Sequence, residues 1–283
     1  VTASSPLITA RDLAAHLGDP QWRVFDCRHD LTNPAFGELA FAEGHIPGAQ
    51  FVHLDRDLSG AKTGRNGRHP LPDRSAFAAR LGELGVGNST RVVAYDDAGG
   101  MFAARLWWMM RWLGHDRVAV LDGGLQAWLS DGMAMSRDTF QVLPTTFVPH
   151  EGWVAVTADE VADGLKGSDM VLIDARAPDR FRGENEMLDP VGGHIPGAHN
   201  RFFRDNLGSD LRFRAVDALR TEFAAVLSGA GPDKAVHQCG SGVTACHNML
   251  AMEVAGMAGS RLYAGSWSEW CADPVRPVAT GAA

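Results

Sequence analysis

The sequence is poor in cysteine, in positive charge and in long apolar runs, and each shortage removes a class of protein. Its four cysteines, Cys27, Cys239, Cys246 and Cys271, are irregularly spaced, and none forms the C-x-x-C pair of a zinc or dithiol redox site. Free thiols are the expectation, with no metal and no cofactor. Lys and Arg number 26 against 34 Asp and Glu, a net charge of −8, so the field that nucleic acid or an anionic membrane needs is missing. Neither is expected as a partner. The most apolar stretch, residues 101–113, is broken by Arg105 and Arg111 and falls short of the roughly 18 uncharged residues of a membrane span. The first residues, Val-Thr-Ala-Ser-Ser-Pro, lack the charged-then-apolar order of a signal peptide. A cytoplasmic location is expected.

What is there is an ordinary globular composition, 45% hydrophobic and 21% charged, over 283 residues. That length suggests two domains, each large enough for its own core.

The chain repeats itself once. Gly44-His45-Ile46-Pro47-Gly48-Ala49 returns as Gly193-His194-Ile195-Pro196-Gly197-Ala198, and upstream of each copy an apolar run ends in Asp-x-Arg, at Asp26-Cys27-Arg28 and Asp174-Ala175-Arg176. Downstream, Arg91-Val92-Val93-Ala94-Tyr95 matches Lys234-Ala235-Val236-His237, and Leu121-Asp122-Gly123-Gly124 matches Leu262-Tyr263-Ala264-Gly265. Four signals in one order read as duplicated domains. Short apolar runs of strand length alternate with helical patterns such as residues 76–84 and 245–255, the α/β signature of a mostly parallel sheet flanked by helices. The expected boundaries are a first domain over 1–137, a linker over 138–152 with Pro144 and Pro149, and a second domain over 153–283.

Residues present in both halves read first as structural. The His45 and His194 turns, and Arg28 and Arg176 as partners of a nearby carboxylate or loop, fall in that class. Difference is the sharper signal. The first half carries Asp96-Asp97-Ala98-Gly99-Gly100 where the second carries Cys239-Gly240-Ser241-Gly242-Val243-Thr244; aligned on the preceding strand, Asp97 falls at Cys239. Only the second loop offers a thiol. Two glycines within four residues, feeding a helix start, let N–H groups turn inward as a ring that would stabilise a thiolate and a second sulfur bonded to it. The loop lacks the lysine of a phosphate-binding loop, the G-x-S-x-G order of a serine nucleophile elbow, and the arginine of the Cys-x5-Arg phosphatase loop, because Ala245 stands there. Cys27 and Cys246 read as core and Cys271 as packing. Trp107, Trp108 and Trp112 read as helix core against the sheet.

These residues resemble, over nearly the whole chain, the rhodanese family, with the loop from Cys239 to Thr244 similar to the active loop of its 3-mercaptopyruvate sulfurtransferase branch. The resemblance implies two tandem rhodanese-like domains, the first noncatalytic and the second catalytic. It also implies sulfur transfer through a persulfide on Cys239, from a small anionic donor to a thiol, a thioredoxin-like protein or cyanide. The thiosulfate branch usually carries positive side chains just after the cysteine, where this chain has Gly240 and Ser241. That favours 3-mercaptopyruvate over thiosulfate; a noncatalytic sulfur-carrier module is the alternative of another class. By resemblance Ser241 joins His69 and Asp55 of the first domain in a relay beside the thiol, in a cleft between the domains. Arg180 takes the donor's acidic end together with the loop residues Gly240, Gly242, Val243 and Thr244, while Arg182 is expected to be exposed. Mercaptopyruvate enzymes commonly have a second arginine nine residues after the first; here that position is Asp189.

Overall fold

The repeated apolar runs become the central strands of two parallel sheets in the computed structural model, which describes residues 5–167 and 170–282. In the first sheet β1 (Leu7–Ile8), β2 (Trp22–Asp26), β3 (Ala49–Phe51), β4 (Arg91–Tyr95) and β5 (Val118–Leu121) lie in the order β1-β5-β4-β2-β3. The second uses β6 (Ala155–Val156), β7 (Val171–Asp174), β8 (His199–Asn200), β9 (Ala235–Gln238) and β10 (Arg261–Tyr263) in the matching order β6-β10-β9-β7-β8. Apolar runs such as Val92-Val93-Ala94 and Val171-Leu172-Ile173 fill the inner strands because both faces of a parallel sheet are covered, so no polar alternation is required.

Each sheet belongs to its own unit. The first unit comprises the chain up to Gly60 with Pro72–Trp153 and Gly208–Phe213; the second comprises Ala61–Leu71, Val154–Leu207 and the chain from Arg214. Residues 137–154 form no helix or strand. Val24, Val93, Leu121 and Trp128 pack in the first core, and Leu172, Val236, Trp267 and Trp270 in the second.

Strand register corrects one alignment. Asp26 pairs with Tyr95 and Asp174 with Gln238, so the residue after Tyr95, Asp96 rather than Asp97, occupies the place of Cys239. The helical patterns appear as Arg74–Glu83 and Thr244–Val254. Asp73 starts the former by accepting from the amides of Ser75 and Ala76. Trp107, Trp108 and Trp112 lie buried on the Ala103–Trp112 helix. Among the described residues no helix is long and apolar enough to cross a membrane.

The shared residues are structural in both copies. Arg28 grips Asp26 (2.6 Å) and the carbonyl of Gly44 (2.7 Å), and Arg176 grips Asp174 (2.6 Å) and the carbonyl of Gly193 (2.7 Å). His45 stacks on Phe41 and His194 on Phe181, each holding the carbonyl of the same phenylalanine through Nδ1 at 2.9 Å. These contacts tie each His-Ile-Pro-Gly turn to the segment before it.

Candidate active site

In the second sheet β7 and β9 are neighbours, but the chain leaves β7 toward β8 on one side and β9 toward β10 on the other. Connections diverging from adjacent parallel strands leave a crevice at their carboxyl ends. Arg176 follows β7 there, and Cys239 follows β9.

Neighbouring backbone fixes the loop that begins at Cys239. The carbonyls of Cys239 and Gly240 accept from the amides of Trp267 (3.0 Å) and Ser268 (2.9 Å), and the Cys239 amide donates to Ser266 Oγ (3.1 Å). Loop carbonyl oxygens are thereby committed to the turn at 265–270 and not to the thiol. Gly242 has φ +76°, and a Cβ there would run into the carbonyl of Ala264, so only glycine fits. Its amide donates to Cys239 Sγ at 3.2 Å. A ring of donors to the thiol was expected; among the described residues one amide reaches it, while those of Ser241, Val243 and Thr244 donate to no protein acceptor. Val243 is the N-cap and Thr244 the first residue of the Thr244–Val254 helix, which is buried from Thr244 to Met252. Its positive end therefore abuts the loop. Cys239 itself is 2% exposed.

Ser241 meets His69. Its Oγ lies 2.7 Å from Nδ1, and both residues are buried. His69 was assigned to the first half, yet it arrives on Ala61–Leu71, which belongs to the second unit. Pro70 disfavours a helical conformation at His69. The segment is docked by Gly67 at φ +83°, where a Cβ would stand 2.8 Å from the Gly265 carbonyl, and by the Arg68 amide, which donates to Ser268 Oγ at 3.0 Å.

Charged side chains gather beside Gly240. Arg180 is bonded to Glu186 through Nε (3.1 Å) and Nη2 (2.8 Å), with Asp189 3.5 Å away, and Arg68 Nη1 is paired with Asp189. A Cβ built on Gly240 would stand 2.7 Å from Arg68 Nη2 and 3.5 Å from Arg180 Nη2. Burial works against the charge on Glu186, but Arg180 and the amides of Leu188 and Asp189 hold its carboxyl below the usual range. At Asp189 burial wins, and the carboxyl is raised although Arg68 and Arg180 pull it down. Burial also opposes the Arg176 charge, yet Asp174, Glu186 and Cys239 around it keep its pKa above the usual value. Three guanidiniums thus face three carboxylates, and the loop amides remain as the unbalanced positive element.

Arg68 is the residue that sequence reasoning missed. The available cue was Asp189, an acid at a position commonly basic in the resembled branch. Asp55 lies half-buried in the first unit, where its amide donates to His53 Nδ1 at 3.0 Å. Arg182 is partly exposed and paired with Glu184. All four cysteines are free. Cys27 is buried, its thiol pushed well up by burial and by Asp96, Asp26 and Asp57; Cys271 is half-buried, its thiol pushed up to about 11 by burial and Asp189. Cys246 is buried in the helix and donates to the Gly242 carbonyl at 3.3 Å.

The rhodanese-like domain family matches residues 9–131 and 157–273. The chain belongs to the rhodanese family. A Pseudomonas aeruginosa protein named "Probable 3-mercaptopyruvate sulfurtransferase" is 48% identical over 282 residues, covering 99% of both chains. The thiosulfate sulfurtransferase of Bos taurus is 33% identical, over 89% of this chain and 85% of its own. A solved 3-mercaptopyruvate sulfurtransferase from Leishmania major superposes with a TM-score of 0.83 at 30% identity, covering 96% of this chain and 75% of that one. The tandem rhodanese-like units account for the internal repeat, and the Cys239 loop stands where β9 of the second unit ends.

Proposed function

We propose that this rhodanese-family chain is a 3-mercaptopyruvate sulfurtransferase with Cys239 as nucleophile. The observation that carries the reading is the Cys239 loop itself. The carbonyls of Cys239 and Gly240 are bonded away, one amide is on the sulfur, further amides have no protein acceptor among the described residues, and Ser241 of the loop pairs with His69. The relative at 48% identity bears the same activity in its name.

In this reading the Cys239 thiolate attacks the donor's sulfur, the donor's C–S bond breaks, and its electron pair leaves as the enolate of pyruvate. The donor's thiol proton ends on that carbon, leaving a persulfide anion on Cys239. Ser241 and His69 lie within hydrogen-bond reach of each other and can hold that proton in transit. Asp55 keeps its tautomer-fixing place by resemblance alone. The idle amides of the loop and the helix terminus suit the added charge of the outer sulfur. An acceptor thiolate, from a small thiol or a thioredoxin-like protein, or cyanide then takes that sulfur and returns the Cys239 thiolate. Arg180 is assigned the small anionic donor together with the loop residues Gly240, Gly242, Val243 and Thr244. By sequence the chain is read as a noncatalytic domain over 1–137, which lends the His69 segment, joined through a linker over 138–152 to a catalytic domain over 153–283. A reducing, cytoplasmic setting suits four free thiols.

Thiosulfate is the second donor to consider, because Arg68 and Arg180 bring positive charge to Gly240 although the loop carries none. Steady-state rates with the two donors side by side, at one acceptor concentration, decide between them. The expected outcome is a kcat/KM at least tenfold higher with mercaptopyruvate; a preference for thiosulfate overturns the donor assignment, and no turnover with either overturns the enzyme.

A further inference from the structure

Two guanidiniums border Gly240, and sequence pattern accounts for only one of them. Arg180 follows β7 at the position that the family resemblance assigns to the donor's acidic end. The position nine residues later is acidic here, which leaves a two-arginine clamp one member short. Arg68 comes from a distant stretch of chain, yet its Nη2 points to the same spot over Gly240 as Arg180 Nη2. Its other terminal nitrogen, Nη1, is taken by Asp189. Asp189 in turn is 3% exposed at its side chain, with its amide donating to Glu186 Oε1 at 3.1 Å, the carboxylate that also holds Arg180. Glu186 and Asp189 therefore fix the two arginines in one frame, and the backbone of Arg68 is anchored separately on Ser268 Oγ.

We propose that Arg68 is the second guanidinium of the donor site, held over Gly240 by Asp189, and that Arg68 and Arg180 together select a sulfur donor bearing a carboxylate. The proposal rests on the sulfurtransferase reading and adds to it the residue that determines donor class. In this chain the arginine stands beside His69, and the aspartate that ties it stands nine residues after Arg180. Asp189 is a positioning residue, since it acts through Arg68. A guanidinium with one nitrogen tied and one presented matches a planar carboxylate better than an ammonium would.

The test compares 3-mercaptopyruvate with its methyl ester, which keeps the sulfur and the ketone and lacks the carboxylate, in the wild type, Arg68→Ala, Arg68→Lys and the charge exchange Arg68→Asp with Asp189→Arg. Arg68→Ala should raise KM for the acid by about 10-fold or more, the usual size for losing a charge-assisted hydrogen bond, with kcat within about threefold and the ester unaffected. Arg68→Lys should recover only part of the loss. The exchange should restore KM for the acid to within about threefold of wild type, whereas either half alone should not. Wild-type KM for the acid in Arg68→Ala, equal losses on acid and ester, or no recovery in the exchange would each overturn the proposal. The parent reading is checked on the same samples by the mass of the wild-type Cys239 peptide after donor treatment. No added sulfur there overturns that reading and the proposal with it, while added sulfur with an unchanged KM overturns the proposal alone.

Discussion

After β4 the chain buries a carboxylate in a nest of its own amides, whereas after β9 it buries a thiol that a single amide reaches. Asp96 accepts from the amides of Ala98 (2.8 Å), Gly100 (2.8 Å), Phe102 (2.7 Å) and Ala103 (2.9 Å). Cys239, on the equivalent strand end, accepts among the described residues from the Gly242 amide alone, at 3.2 Å. Both loops feed the positive end of a buried helix, Ala103–Trp112 in one and Thr244–Val254 in the other. The first loop is complete as it stands, because a fixed anion satisfies it. The second has donors to spare, and a group carrying one more anionic atom than a thiol would use them. The two halves therefore keep a loop that feeds a buried helix start and differ in the side chain that fills it, a carboxylate in one and a thiol in the other.

Exchanging the two residues breaks the comparison most severely. Cys239→Asp should abolish turnover with a folded chain by circular dichroism, while Asp96→Cys should not add a second transfer site, because no Ser–His pair is described beside it. Sulfur transfer that survives Cys239→Asp would contradict the difference drawn between the loops. Next in size is His69→Ala, which should lower kcat by about 10²-fold, the low end of a lost proton-transfer group, and change KM little. Unchanged kcat removes His69 from the relay.

Asp96→Ala tests the other loop. Four amides, three of them buried, lose their acceptor, so unfolding by urea should show a loss of about 3 kcal/mol or more, with kcat/KM of the remaining folded enzyme close to wild type. A neutral effect on stability would mean that the nest does not depend on its carboxylate, which burial already pushes toward protonation. The smallest effect is expected at His237, which stands where the first sheet has Ala94. Burial lowers its pKa to about 3, and it is neutral with Nε2 3.0 Å from Met252 Sδ. The unfolded chain takes up a proton at this histidine near pH 6.5 and the folded chain only near pH 3. Stability from this group is therefore full above about 6.5 and falls as pH drops toward 3, by about 2 kcal/mol at pH 5. Urea midpoints at pH 7.5 and 5 should converge in His237→Phe relative to wild type; the same pH slope in both would remove His237 as its source.

The fold was legible because its signals are local. The His-Ile-Pro-Gly turns, the Asp-x-Arg strand ends and the glycines around Cys239 each state their geometry within a few residues, and the repeat placed them in order. The pairing of Asp96 with Cys239 was missed by one position because two adjacent aspartates fit the pattern equally, and strand register alone separates them. The expected ring of donors on the thiol came down to one because the Cys239 loop reaches its helix two residues sooner than the Asp96 loop does. Arg68 was not legible beyond the hint of an acid at Asp189, which signals a displaced base without locating it. Its place beside Gly240 depends on Ala61–Leu71 docking through Gly67 and Ser268 onto the second unit, a long-range contact that no spacing announces.

The most direct measurement is peptide mass spectrometry of the wild-type chain after treatment with 3-mercaptopyruvate and before any acceptor is added. The account predicts one extra sulfur atom on the peptide containing Cys239, lost on addition of cyanide, and none on the peptides of Cys27 or Cys271. Sulfur on those cysteines instead, or none on Cys239, would contradict it.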